Sequence, residues 1–267
     1  MIQSLGSVSH GLGVEGEIMK ILPTITSAMW HPPPELRLRW LREYGKDRFT
    51  FEEARRAQTF PSWWKFPNTK SRKWKWLAEA FPPKVAQHLF TNYVKHNNNI
   101  LLDIFAGIGG WGLGATLSGK FSKIIMVEYD KSKCNFLNIN FSQLEIEYEI
   151  ICEDIRNLDF SIFSNIDVVT VSPPCEDLSI LRYFSRNSRA NKGTVPLTLL
   201  AIEVVNTIKP RISFYENVYR RILVDILRKH GWYTLRFNMS KIIPQKRIRL
   251  IGIKFLENSF SLPIKAY

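Results

Sequence analysis

Ile100-Leu101-Leu102-Asp103-Ile104-Phe105-Ala106-Gly107-Ile108-Gly109-Gly110 decides how this chain folds. The first five residues are mostly Ile and Leu and read as a buried strand. The glycines open a tight loop, and an apolar stretch from 106 to about 117 reads as a helix. Such a unit brings the backbone close to a ligand at a helix N-terminus, because glycine carries no Cβ to hold the ligand off. It is not the G-x-G-x-x-G dinucleotide fingerprint, and no phosphate-gripping Lys follows as in a P-loop.

The alternation continues downstream. The pattern predicts strands over 123–128, 148–152, 166–171, 211–215, 232–238 and 247–255, with helices over 130–140, 196–208 and 218–230. That order implies an α/β fold with a doubly wound, mainly parallel sheet. Upstream, residues 1–30 are Gly/Ser-rich and weakly patterned, apart from Pro23-Thr24-Ile25-Thr26. Pro32-Pro33-Pro34 leads into a short basic helix over 35–42. Thr50 with Glu53 forms a capping box for a helix that runs to about Gln58 and stops before Pro61. Residues 84–95 read as an amphipathic helix and Asn97-Asn98-Asn99 as a turn. The chain divides into an irregular segment (1–47), a small basic and aromatic subdomain (48–98) and an α/β core (99–267).

Composition narrows the partners. Among 267 residues, 37 Lys and Arg face 24 acids, a net charge of +13 that suggests a polyanion such as nucleic acid. Six of the eight tryptophans lie between Trp30 and Trp76, interleaved with Lys and Arg. They serve either a nucleic-acid face or the packing of the subdomain onto its neighbour. Three cysteines (Cys134, Cys152 and Cys175) make no disulfide framework, and five scattered histidines without a Cys-x-x-Cys spacing argue against a metal site. No apolar run reaches membrane-spanning length and no signal-peptide layout opens the chain. The expectation is an intracellular, soluble, cytoplasmic protein without a membrane partner.

Three constellations carry chemistry. In the first, Glu128 ends the strand after the glycine loop, where a carboxylate accepts both ribose hydroxyls. Asp154 follows the next strand, within reach of an adenine amino group. A glycine loop with acids at two successive strand ends fits a nucleoside cofactor without a pyrophosphate, and S-adenosylmethionine is the obvious one. In the second, Val171-Ser172-Pro173-Pro174-Cys175 ends the strand over 166–171. Two prolines stop the strand and present a thiol at its carboxyl end. Phe214-Tyr215-Glu216-Asn217-Val218 ends the following strand, and Glu216 can hydrogen-bond and protonate a base nitrogen. In the third, Gln245, Arg247 and Arg249 share one strand face at period two and suggest an edge that contacts an anion or a base.

Together these residues resemble the C5-cytosine methyltransferase family. Asp103-x-Phe105-x-Gly107-x-Gly109-Gly110 looks like its cofactor loop and Pro173-Pro174-Cys175 like its nucleophile motif. Glu216-Asn217-Val218 and Gln245-x-Arg247-x-Arg249 look like its motifs VI and VIII. Arg48 to Pro61 looks like motif IX and Ala78-Glu79-Ala80-Phe81-Pro82-Pro83 like motif X. In the usual family order these two end the chain; here they begin it, which implies a circular permutation. Glu176 replaces the usual Gln after the nucleophile, Glu52 stands where Arg is usual, and Ala78, Glu79 and Phe81 replace Gly, Asn and Val.

The resemblance implies methyl transfer from S-adenosylmethionine to cytosine C5 in double-stranded DNA, in a nucleoid-associated modification enzyme of a restriction-modification system. Catalysis falls to Cys175, Glu216, Arg247 and Arg249. The cofactor would be held by Phe105, Ala106, Gly107, Ile108, Gly109, Gly110, Glu128, Tyr129, Asp154, Ile155 and Pro173, with Glu79 and Ala80. Arg182, Arg186, Arg189 and Lys192, in a loop over 178–194, and Gln245 would contact DNA around a flipped base. The family's target-recognition region has no obvious counterpart, so either a short site is read or a separate specificity subunit supplies recognition. Three other readings stay open: a tRNA cytosine-C5 methyltransferase, a cytosine-N4 DNA methyltransferase, and a DNA-binding subunit of a split enzyme.

Overall fold

The computed structural model describes residues 21–175 and 193–256. Four helices come first: α1 (Pro34–Tyr44), α2 (Phe51–Ala57), α3 (Lys70–Glu79) and α4 (Pro83–Tyr93). The α/β part runs β1 (Asn99–Ile104), α5 (Gly110–Ser118), β2 (Phe121–Val127), α6 (Lys131–Phe141), β3 (Glu147–Ile151), β4 (Val168–Val171), α7 (Thr194–Ile208), β5 (Ile212–Asn217), α8 (Arg221–Lys229), β6 (Tyr233–Asn238) and β7 (Ile248–Phe255). The seven strands form one sheet in the order β3-β2-β1-β4-β5-β7-β6. All pairs are parallel except those made by β7, which runs antiparallel to both β5 and β6.

The register places the site. Strand order reverses between β1 and β4, and open α/β sheets bind ligands at such a switch point. Ile104 pairs with Val127 on one side and Val171 on the other, and Val171 pairs with Tyr215. The residues that leave these strand ends, Phe105, Glu128, Ser172 and Glu216, therefore emerge in one row.

Strand alternation feeds two cores. Leu101, Ile124, Met126, Val168 and Phe214 face the helices α3 to α5 and the segment around Ile25 and Met29. Leu102, Ile104, Ile125, Val169, Val171 and Tyr215 face α7 and α8. Both faces are covered, which is why β4 is Val-Val-Thr-Val without a polar-out position. The first core runs unbroken from Leu22 through Val94 into the sheet.

Several expectations are refined. The capping box at Thr50 is present in full: Thr50 Oγ1 accepts from Glu53 N and the Glu53 carboxylate accepts from Thr50 N. The helix expected from Ala106 starts only at Gly110, because Phe105, Gly107 and Gly109 take positive φ. Helix α3 was not anticipated: Lys70-Ser71-Arg72-Lys73 opens it, and with so few apolar residues it shows no complete stripe. Trp40, Trp64, Trp74 and Trp76 are buried, while Trp30 and Trp63 are exposed, so the tryptophans mainly serve packing. The cysteine reading is corrected: Cys134 in α6 and Cys152 after β3 are joined, their Cα atoms 5.9 Å apart. Three cysteines make no framework, but one bridge needs only two residues within reach. No helix among the described residues is long and apolar enough to cross a membrane.

Candidate active site

A cavity of about 1280 Å³ opens along the row of strand ends. Small-molecule pockets usually hold roughly 300–1,000 Å³, so this one has space for a second ligand beside the first. Phe105 to Ile108, Gly110, Glu128, Tyr129, Asp154 and Ile155 line one part, with Glu79, Ala80 and Phe81. Ser172 to Cys175, Glu216, Asn217, Val218, Arg247 and Arg249 line another.

The first part is shaped by backbone geometry. Gly107 has φ +60°, and its N–H donates to Glu128 Oε2 at 2.9 Å. A Cβ on Gly110 would lie 2.0 Å from the Phe81 carbonyl oxygen, so only glycine lets the segment between α3 and α4 close on the loop. Gly109 sits in the loop but outside the cavity lining. Glu128 is buried, and its second oxygen accepts from Asp130 N at 2.9 Å. Burial raises its pKa, and the Lys133 ammonium works against that shift. Lys133 in turn, despite burial, is held above its ordinary value by Glu128 and Glu79. Asp154 caps the turn that follows β3 and chelates the Arg156 guanidinium. Tyr129 is 64% exposed at the rim and Ile155 is buried.

These groups fit S-adenosylmethionine. Each Glu128 oxygen accepts one backbone N–H and retains a further lone pair for a hydroxyl. Asp154 adds an acceptor one strand farther out.

The second part presents the thiol. Ser172 N donates to Ile104 O at 3.3 Å, Asn217 Nδ2 donates to Pro173 O at 2.9 Å, and Thr194 Oγ1 donates to Pro174 O at 2.6 Å. Cys175 is exposed to the cavity. The walls around it still strip enough water to raise the thiol pKa, the Glu216 carboxylate raises it further, and Arg249 and Arg247 oppose both. Glu216 is buried and pairs with Arg249 Nε at 3.1 Å.

Arg247 and Gln245 depart from expectation. The Arg247 guanidinium donates to Ala78 O at 3.1 and 3.2 Å and to Ala80 O at 3.4 Å. It borders the cavity, but its hydrogen bonds clamp the end of α3. Burial, then Arg249, pulls its pKa down to about 9, which leaves it charged at neutral pH. Gln245 is corrected outright: it is fully buried, and its Nε2 donates to Gln58 Oε1 at 2.6 Å. Gln58 Nε2 donates onward to Leu77 O and Ala80 O. The alternation is real, but it is divided: Gln245 and Arg247 turn to the N-terminal helices, and Arg249 turns to Glu216. Arg182, Arg186, Arg189 and Lys192 lie outside the described residues.

Sequence reasoning missed Trp111, Lys133 and the wall made by Thr24 to Ser27, which line the cavity, and Thr194, which holds the Pro174 carbonyl. For the wall a signal existed: Pro23-Thr24-Ile25-Thr26 is an extended-chain pattern, and Leu22 bridges to Gln245 as a strand does. Among the described residues no group of three or more metal-ligating side chains converges.

Comparison with known proteins agrees with this geometry. The family model for C-5 cytosine-specific DNA methylase matches residues 20–95 and 100–226. The Type II methyltransferase M.Bsp6I of Bacillus sp. (strain RFL6) is 25% identical over 183 residues, covering 61% of this chain and 56% of that protein. The Type II methyltransferase M.Eco47II of Escherichia coli is 28% identical over 188 residues, covering 62% and 43%. The chain thus spans about half the length of the curated relatives it matches. Among solved structures, a putative RNA methyltransferase, PH1948 from Pyrococcus horikoshii, aligns over 79% of this chain and all of its own with a TM-score of 0.48 and 19% identity. The family match covers most of the sequence and includes the glycine loop, Cys175 and Glu216; the chain belongs to the C-5 cytosine-specific DNA methylase family.

Proposed function

We propose that the protein methylates C5 of cytosine in double-stranded DNA through a covalent adduct between Cys175 and cytosine C6, as the modification enzyme of a restriction-modification system. The observation that carries this reading is one cavity bordered by a glycine loop with two acids and by a thiol beside a buried Glu216–Arg249 pair.

S-adenosylmethionine, when bound, supplies an electrophilic methyl group. Glu128 would hold its ribose, Asp154 its adenine, and Phe105 to Ile108 with Gly110 its amino-acid end, with Glu79 and Ala80 at the edge. Cys175 as thiolate donates its electron pair to form the S–C6 bond. The C5=C6 π pair shifts to C4=C5 and the C4=N3 π pair moves onto N3, which takes a proton from solvent at the Glu216 carboxylate and gives it back there when the ring's double bonds are restored. Electron density returned to C5 makes that carbon the nucleophile for the methyl group. The C5 proton then passes to a solvent base, C5=C6 re-forms, and the thiolate leaves. A thiolate serves both roles, as a strong nucleophile and as a good leaving group. Arg249, whose Nε lies 3.1 Å from Glu216 Oε1, keeps that carboxylate aimed. Reaching C6 requires the cytosine to leave the stack, and the surplus of Lys and Arg suits phosphate contacts by Arg182, Arg186, Arg189 and Lys192.

We also read motifs IX and X as permuted to the front. The family match breaks at residues 96–99, between α4 and β1, and Gly110 packs directly on Phe81.

Product analysis tests the reading. The protein is incubated with methyl-labelled S-adenosylmethionine and, separately, mixed-sequence DNA and tRNA, and each is digested to nucleosides. Label in 5-methyldeoxycytidine supports the proposal. Label in N4-methyldeoxycytidine removes Cys175 as nucleophile, and label in RNA alone changes the substrate. Bound cofactor with no transfer points to a separate specificity chain.

A further inference from the structure

We propose that Trp111 is a positioning residue that ties the nucleophile to the cofactor-binding helix through Ser172. Trp111 is the second residue of α5 and only 2% exposed. Its indole stacks on Phe81 at 3.9 Å between centroids with 11° between planes. Its Nε1–H donates to Ser172 Oγ at 2.8 Å. A buried indole N–H usually finds a partner, yet Trp40, Trp64 and Trp232 leave theirs unpartnered in this molecule. The Trp111 bond is therefore a specific feature and not a by-product of burial.

Ser172 stands three residues before Cys175, and the two residues between them are prolines. Each proline ring fixes φ near −65°, so few soft torsions separate the Ser172 hydroxyl from the thiol. An anchor at Ser172 is transmitted to Cys175 with little slack. Asn217 and Thr194 hold the next two carbonyls from β5 and α7. Trp111 is the anchor on the cofactor side, and Trp111, Phe81 and Ser172 all line the same cavity. The same indole thus touches the wall of the methyl donor's site and the loop that carries the nucleophile. A displacement of about 1 Å at such a loop is enough to cost on the order of a hundredfold in rate.

This inference rests on Cys175 being the nucleophile. The test is a double-mutant cycle on the full chain with Trp111→Phe, which keeps an aromatic ring to stack, and Ser172→Ala. The readouts are kcat and KM for DNA methylation, cofactor Kd, and the rate at which Cys175 is trapped by DNA containing 5-fluorodeoxycytidine. Each single variant is expected to lose about tenfold in kcat and in trapping rate, the scale of one hydrogen bond, with cofactor Kd and KM for DNA within threefold. The double variant should lose the same tenfold, since the shared bond is removed once. A hundredfold loss in the double variant, or Ser172→Ala at wild-type kcat, would overturn the proposal. Ser172→Ala removes one oxygen, so its kcat decides the question even if Trp111→Phe folds poorly. If wild-type protein neither methylates nor traps, the functional reading has failed and not this coupling.

Discussion

The two ends of the cavity are built differently. Around the glycine loop, contacts are short in sequence: Gly107 meets Glu128 and Glu128 meets Asp130. Around the nucleophile, Thr194 holds Pro174 over a similar span, but the others are longer: Asn217 reaches back to Pro173, Arg247 to Ala78 and Gln245 to Gln58. A βα unit writes its ligand chemistry into consecutive residues, whereas a joint between distant segments leaves only isolated polar residues in the sequence. Chemistry at the first end is accordingly encoded locally, and at the second it depends on the assembled fold.

The largest expected break in this contrast is Cys175→Ala. Methyl transfer should fall by at least about a thousandfold, while S-adenosylmethionine affinity stays within threefold, because Cys175 belongs to the assembled end only. Equal loss of both in a filter-binding and turnover assay would show the two ends to be one unit. Next in size is Glu216→Gln. Transfer should drop by about a hundredfold or more. Loss of the carboxylate's charge also lowers the Cys175 pKa, so iodoacetamide should alkylate the thiol about threefold faster at pH 7.5. Slower alkylation would contradict the pairing described for Glu216, Arg249 and Cys175.

A smaller effect sharpens the correction at the joint. Gln245→Met leaves Gln58 Oε1 without its donor in a buried site and should destabilise the fold by about 1–3 kcal/mol in urea titration. DNA affinity and its salt dependence should not change. A loss of DNA affinity in the folded variant would return Gln245 to the DNA face.

Legibility followed the same division. The order of strands and helices from Ile100 onward could be read because apolar periodicity and strand-end glycines, prolines and acids are local signals. The capping box at Thr50 was readable for the same reason. Helix α3 was not, since its burial is set by partners such as Phe51 and Phe136, which lie far from Trp74 and Trp76 in sequence or in element. Gln245 and Arg247 illustrate the limit best. Their alternation was visible in the sequence, but which neighbour covers that face is decided by α3 and Gln58. Cys134 and Cys152 were likewise readable as residues and not as a pair, because only the β2–β3 register brings their segments together.

A pH effect concerns Asp103, fully buried under the glycine loop, with Oδ1 accepting from Thr170 Oγ1 at 2.7 Å. Burial first, and Glu128 second, push its pKa up to about 7, against a hydrogen bond from Thr170 that lowers it. The folded state holds a proton that the unfolded chain releases near its ordinary value of 3.8. Its contribution is therefore full below that value and is lost as pH rises toward 7. Asp103→Asn should flatten the decline of Tm between about pH 4 and 7. An unchanged slope would mean the carboxyl is ionised in the fold.

The most direct test of the central claim is covalent trapping on mixed-sequence duplex DNA containing 5-fluorodeoxycytidine, with S-adenosylmethionine present. Fluorine at C5 cannot leave as a proton, so the adduct persists. The account predicts a protein–DNA species stable to denaturation whose tryptic map places the cross-link on Cys175. Robust methylation of ordinary cytosine DNA with no trapped species, or a cross-link on another residue, would contradict it.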